Sequence, residues 1–367
     1  MQTLRLHISA QSQDIPIFIG QNLWKHLVKY LQQHFPNHSV FVISDSNICN
    51  IYSDTINHEL GALSRRLDSS SGFHGIIDFP AGEQSKTRQE KQRLEDQLLK
   101  KKARRDTVVI AFGGGVTGDL AGFVAATYYR GIPLIHLPTS LIAQVDSSIG
   151  GKVGINHPQG KNLIGAFYQP QAVFVDTDLL KTLPHEELEN GMGEVMKYAV
   201  ILDHDLWKSI EKEADKILSR DPDTLLKVIK RCIQLKVGVV EQDVSESGYR
   251  SILNFGHTIG HAIEKLSNFK IRHGVAISYG MIIAARLSQE LLGFPEKLVS
   301  RLQKTLKLYN LDSLLFTDFT TDQIWEAIFS DKKTRQQSPR FTLLKNSSQP
   351  EFFYPVRKED LEHVLNQ

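Results

Sequence analysis

The sequence predicts an α/β N-terminal domain with a mostly parallel Rossmann-like sheet, followed by a mainly α-helical C-terminal domain. Three observations carry this reading. Through the first half, short β-branched runs alternate with amphipathic segments, the pattern of strands and helices in layers. After about Asp178 that alternation stops and apolar residues recur at helical spacing. At 367 residues the chain is long enough for two cores of roughly 100 to 200 residues each, with the division expected at 1–178 and 179–367.

In the first part the expected strands are Leu4 to Ile8, Ile15 to Ile19, Val40 to Ser44, Gly75 to Phe79, Thr107 to Phe112, Leu134 to Leu137 and Ala172 to Val175. Each is a short run of mostly apolar residues. Leu23 to Phe35, Lys86 to Lys102 and Leu120 to Tyr129 read as intervening helices, the second dense in strong helix formers. Strands separated by helices imply a sheet whose core is parallel. In the second part helices are expected at Glu186 to Leu202, Leu206 to Leu218, Leu225 to Val240 and Val275 to Leu292. Late apolar runs at Arg340 to Leu344 and Glu351 to Val356 suggest a small strand pair.

Composition narrows the function. Charged residues at 23% and hydrophobic ones at 41% belong to a folded chain rather than a disordered one. A net charge of +2 gives no reason to expect a nucleic-acid or membrane partner. The basic run Lys100, Lys101, Lys102, Arg104, Arg105 reads as a solvated helix end. Cys49 and Cys232 form no C-x-x-C pair and are expected to be buried thiols. No stretch reaches the ~18 apolar residues of a membrane span, and no basic region followed by an apolar one opens the chain, so a cytoplasmic location is expected.

Gly113, Gly114, Gly115, Gly118 and Asp119 follow a strand and open a helix, where backbone amides can meet a pyrophosphate unobstructed. The text fits G-x-G-x-x-G, but this is not the first strand and no carboxylate follows ~20 residues on. Pro80 to Lys86 is a second strand end that turns through glycine into a helix. His257 and His261 lie four apart on one helical face, and His273 heads the next helix. With Glu194 as carboxylate, these histidines could supply three ligands to a catalytic divalent metal. A lone acid at a helix start could instead merely favour the helix dipole. Lys152 and Lys161-Asn162 sit beside glycines at apparent backbone turns, suited to phosphate or carboxylate. Arg130, Lys197, Lys236 and Arg250 add positive charge, and together these cations predict a small anionic substrate.

These residues resemble the 3-dehydroquinate synthase family, within the sugar phosphate cyclases and their more distant relatives, the metal-dependent polyol dehydrogenases. The resemblance covers nearly the whole chain through ordered segments such as Gly82-Glu83-Gln84-Ser85-Lys86, Phe112 to Phe123, Leu137 to Leu141, Asp146 to Lys152, Gly160 to Gly165, Leu253 to Glu264, His273-Gly274 and Asp331-Lys332-Lys333. It implies that Glu194, His257 and His273 bind zinc, cobalt or a similar divalent ion, and it moves His261 from metal ligand to substrate contact and proton traffic. It implies NAD against Glu83, Lys86, Gly115, Val116, Thr117, Gly118, Asp119, Thr139, Ser140, Leu179, Leu180, Lys181 and Thr182, with Lys152 and Lys161 shared between cofactor and substrate. Lys152, Lys197, Arg250, Asn254 and His261 would be catalytic; Arg130, Asp146, Asn162, Lys236 and Lys332 or Lys333 would hold substrate. A homodimer is also implied.

The family's chemistry accounts for this set of groups. The substrate alcohol is oxidised by NAD, and phosphate leaves by β-elimination from the transient ketone. The hydride then returns, the ring opens, and an aldol step closes the carbocycle. A polyol dehydrogenase would have no use for so many phosphate-directed cations, and a different cyclase would be expected to differ at Asn254, His261 or the late lysine. Departures from the family pattern are small. Ser140 stands where threonine is common, Tyr249 where leucine is common, and Val275 where an acid often follows His-Gly.

Overall fold

Residues 13–64, 71–312, 319–331 and 339–366 are described by a computed structural model; the expected strand Leu4 to Ile8, and Lys332 and Lys333, lie outside them. The apolar runs of the first half assemble into one six-stranded sheet. Its strands are β1 (Ile17–Gly20), β2 (Ser39–Asp45), β3 (Gly72–Phe79), β4 (Thr107–Gly113), β5 (Leu134–Pro138) and, after a hairpin, β8 (Ala172–Asp176). The order is β1-β8-β5-β4-β2-β3 and every pairing is parallel.

β4 is buried along its whole length, and its alternate residues serve two cores. Val109 and Ala111 pack with helices α3 (Arg88–Lys100) and α4 (Gly115–Thr127). Val108, Ile110 and Phe112 pack with α1 (Trp24–His34) and α2 (Ser46–Ser64). Burial on both faces is why these strands read as continuous apolar runs rather than alternating ones. The chain runs from β2 out to the edge strand β3 and returns to place β4 on the other side of β2. Strand order reverses there, and the crevice beyond the carboxyl ends of β2 and β4 is where α/β sheets take ligands.

Between β5 and β8 the chain makes an antiparallel hairpin, β6 (Lys152–His157) and β7 (Gly160–Phe167), where the glycines suggest backbone turns. Lys152 and Lys161 therefore lie on strands. Gly154 and Gly165 face each other so closely that a Cβ on Gly165 would lie 2.1 Å from Val153 O. Such glycine-rich strands lack the alternation that marks a strand in sequence. The helix α2 was also unforeseen: its Asn, Ser, Asp and Thr residues dilute the apolar stripe.

The second half is helical: α5 (His185–Ile201), α6 (His204–Lys212), α7 (Ala214–Leu218), α8 (Pro222–Gln242), α9 (His257–Leu266), α10 (His273–Leu292), α11 (Glu296–Leu308), α12 (Thr321–Asp331) and α13 (Lys358–Leu365). The stretch expected as one helix from Leu206 to Leu218 breaks at Glu213, whose φ of −108° and ψ of 20° are not helical. The late strand pair forms as β9 (Arg340–Asn346) and β10 (Gln349–Pro355), antiparallel. α10 has the length and hydropathy of a membrane-spanning helix, yet 67% of its apolar window is buried inside the protein. Cys232 is buried as expected, whereas Cys49 is only half-buried; it sits on α2 at the margin of its core, where the helix meets solvent.

Candidate active site

Three helices bring the proposed ligands together. Glu194 lies in the interior of α5, not at its start, so the helix-dipole reading of this acid is corrected. His257 and His273 are the first residues of α9 and α10. The approach depends on glycine: a Cβ on Gly274 would lie 1.8 Å from Asn190 O, and one on Gly193 would lie 2.7 Å from Gly274 Cα. With no side chains in the way, α5 and the head of α10 touch backbone to backbone. Glu194 Oε1 then sits 3.1 Å from His273 Nε2 and 3.3 Å from His257 Nε2.

The outer nitrogens are committed. His257 Nδ1 faces Phe255 O at 3.2 Å and His273 Nδ1 faces Glu264 Oε2 at 3.3 Å. Each Nδ1 is thus anchored outward and each Nε2 is turned to the same carboxylate oxygen, the arrangement found behind metal-bound histidines. A His-His-Glu set whose ligand atoms all lie within 4.8 Å of one another fits a catalytic divalent metal. His261, one turn along α9, is exposed and its ring centre is 5.4 Å from that of His257. A second grouping, His261, Glu264 and His273, also draws its ligand atoms within 4.8 Å of one another, but neither grouping holds both His257 and His261.

Electrostatics follow from burial and pairing. Burial lowers His257 to about 4 and keeps its imidazole neutral. Burial also acts to lower His273, but hydrogen bonds to Glu194 and Glu264 win and raise it to about 10. Glu194 is 1% exposed; burial pushes its pKa up, but Lys197 and His257 hold it well below the usual carboxylate range. Lys197 Nζ lies 2.5 Å from Glu194 Oε2, a charge pairing in which the ammonium is poorly directed for a hydrogen bond.

Signs then alternate away from Glu194. Lys197 is 3.9 Å from Asp146 Oδ1, which accepts from Lys236 Nζ at 2.8 Å and from the Tyr198 hydroxyl. Burial raises the Asp146 pKa, but Lys236 and Lys197 outweigh it and hold the group at about 2. Asp146 sits in a widened helical turn, Ala143–Ser147, where Ser148 N–H donates to Ala143 O at 3.3 Å. Arg250 is buried and donates to Val244 O at 2.8 Å and to Gly150 O at 3.3 Å, so it also braces the glycine turn before Lys152.

The residues expected to meet NAD are held as follows. α4 opens at Gly115, and a Cβ on Gly115 would meet Ser147 Oγ at 3.2 Å, so the loop offers bare backbone amides. Thr139 N–H donates to Gly113 O at 3.0 Å, and Ser140 follows it. Buried Lys86 donates to Asp119 Oδ2 at 2.7 Å and to Asn162 Oδ1, with Glu83 at 3.6 Å. Lys161 donates to Glu264 Oε1 at 2.8 Å and lies over the Phe269 ring. Leu179 and Leu180 are buried, Thr182 Oγ1 bonds the Tyr52 hydroxyl at 2.7 Å, and Lys181 turns outward to Asp178.

Not every expected residue joins the cluster. Arg130 is exposed on the turn after α4, in a left-handed conformation with φ of 68°, and forms no ion pair with a described residue. Three groups were missed in sequence. Asp45, at the end of β2, accepts from Thr117 Oγ1 at 3.2 Å and supplies the carboxylate beside the glycine loop that was sought downstream. Glu246 pairs with Lys152 and accepts from Asn254 Nδ2 at 3.0 Å. Glu264 lies seven residues after His257, on the same helical face, a periodicity that could have revealed it.

The family model for the N-terminal part of 3-dehydroquinate synthase matches residues 76–190, and that for its C-terminal part matches 191–334. The 3-dehydroquinate synthase of Desulforamulus reducens is 39% identical over 364 residues, 99% of each chain. That of Dehalococcoides mccartyi is 40% identical over 367 residues, covering 100% of this chain and 99% of the relative. Among solved structures, 2-deoxy-scyllo-inosose synthase in complex with carbaglucose-6-phosphate, NAD+ and Co2+ superimposes with a TM-score of 0.85 at 30% identity over 95% of both chains. On fold and full-length sequence alike, this chain belongs to the 3-dehydroquinate synthase family.

Proposed function

We propose that this chain converts 3-deoxy-D-arabino-heptulosonate 7-phosphate to 3-dehydroquinate with release of phosphate, using NAD and a divalent metal, zinc or cobalt. It would thereby act as a phosphate-eliminating carbon–oxygen lyase in the shikimate route to aromatic amino acids. The observation that carries the reading is the convergence of Glu194, His257 and His273 at one end of a chain of alternating charges, beside a glycine loop that opens a helix. The related synthase crystallised with a sugar phosphate analogue, NAD+ and Co2+ supports the same ligands here.

Glu194, His257 and His273 would hold the metal, and Asp45, Gly115 to Asp119, Glu83, Lys86, Thr139, Ser140 and Leu179 to Thr182 would hold NAD. Bound there, the two supply Lewis-acid polarisation of a substrate hydroxyl and a reversible hydride acceptor. The chain's own residues do the rest. Lys152, Arg250 and Arg130 take the phosphate and stabilise its charge as it leaves. Lys197, Lys236 and Asp146 are paired before substrate arrives, so hydroxyls and carboxylate enter a field already oriented. Asn162 and Asn254 orient the ring. His261, exposed one turn from His257, exchanges protons with the substrate hydroxyls.

We assign residues 1–178 to an NAD-binding domain and 179–367 to a metal- and substrate-binding domain, and propose a cytoplasmic homodimer without nucleic-acid or membrane partners, as the family resemblance implies. The decisive experiment follows the fate of the cofactor. With substrate, metal and a trace of NAD, phosphate should be released over many turnovers while NADH absorbance stays near zero. NADH rising in step with substrate loss, without phosphate, would show a dehydrogenase instead.

A further inference from the structure

Glu264 is 2% exposed, a position at which a carboxylate is costly unless both oxygens are answered. Each oxygen serves a different part of the molecule. Oε2 faces Nδ1 of His273 at the head of α10, and Oε1 accepts from Nζ of Lys161 on β7, 103 residues away in sequence. Phe269 closes the lysine from its other side, 4.4 Å from ring centre to Nζ. We propose that Glu264 is a positioning residue that ties the metal ligand His273 to Lys161, so that metal and dinucleotide binding assist each other through one shared carboxylate.

The physical basis is exclusivity. While Oε2 accepts from Nδ1–H, the Nε2 edge of His273 has only the Glu194 side to face. While Oε1 holds the ammonium, Lys161 is fixed next to Asn162, which Lys86 contacts, rather than free to sample solvent. Loss of either contact loosens the carboxylate that the other relies on, and a coupling of this kind is reciprocal. The inference rests on the proposed ligand sets for metal and NAD.

The test uses binding, not turnover. Zinc affinity by chelator competition and NAD affinity by calorimetry are measured on full-length wild type, Glu264→Gln, Lys161→Met and the double variant. Glu264→Gln should weaken zinc about 10- to 100-fold and NAD by about fivefold or more. Lys161→Met should weaken NAD to a similar degree and zinc by about fivefold, the reciprocal effect, and the double variant should bind NAD no worse than either single one. A folded Glu264→Gln protein with wild-type zinc affinity overturns the proposal, as does one that loses zinc affinity with NAD unchanged. Wild type that binds no zinc refutes the metal-site reading itself. Should Glu264→Gln not fold, nitrogen-15 spectra of zinc-loaded wild type decide: His273 must be protonated at Nδ1, and a ring protonated at Nε2 overturns the proposal.

Discussion

Replacing Lys197 by methionine keeps the length of the side chain and removes one buried charge. Lys197 is 2% exposed, and its ammonium is the group that answers Glu194 Oε2, while Glu194 Oε1 faces the two histidines. Without metal, the substitution leaves a buried carboxylate short of a counter-charge, a loss of about 3–5 kcal/mol. A divalent ion held by Glu194 would replace the missing charge, so in zinc-loaded protein the loss should fall to about 2 kcal/mol or less. The difference must appear as binding, because stability and affinity are linked. Lys197→Met should therefore bind zinc at least about fivefold more tightly than wild type, at about 1.4 kcal/mol per factor of ten, while losing turnover. Urea unfolding in EDTA and in zinc, with chelator competition, measures both quantities. Equal destabilisation with and without zinc, or weaker zinc binding in the variant, would refute the reasoning.

His136, buried on β5 beneath Gly118, is held at about 4 against 6.5 by burial. Between those values the unfolded chain binds the extra proton, so stability falls as pH drops through this window. The shift is worth about 3 kcal/mol at 1.36 kcal/mol per unit. His136→Gln should retain about that much more of its neutral-pH stability at pH 4 than wild type does, as read from urea unfolding at pH 7 and pH 4. Parallel losses in the two proteins would contradict a neutral buried imidazole. Alanine at Glu194, His257 or His273 should abolish bound zinc by elemental analysis. His261→Ala should keep zinc and lose turnover; loss of zinc there would favour the second histidine grouping.

The sheet was legible because fully buried parallel strands announce themselves as apolar runs, and β4 with its glycine exit was placed to within a residue. α4 begins at Gly115, not Leu120, because packing against the sheet overrides the poor helix propensity of Gly115 and Gly118. Glu194, His257 and His273 could be named from residue type and family likeness, although only the crossing of α5, α9 and α10 makes them neighbours. Asp45 escaped because the carboxylate comes from a strand earlier in sequence than the loop it serves, the reverse of the usual order. Glu246 escaped for another reason: it lies in a polar loop with no periodicity, and its meaning depends on Lys152, far away along the chain, as well as on nearby Asn254.

The widened turn at Ala143–Ser147 has a consequence for how this site can change over evolutionary time. Such a turn holds one residue more than an ordinary helical turn. Deleting a single residue there would restore regular winding and swing everything downstream by about 100°, the angular step of an α-helix. Asp146 would then leave Lys236, Lys197 and Tyr198 together, and no point substitution elsewhere could bring it back. The length of this segment is thus a heritable constraint independent of which amino acids fill it. Lineages that tolerate many replacements between β5 and β6 should tolerate almost no insertions or deletions.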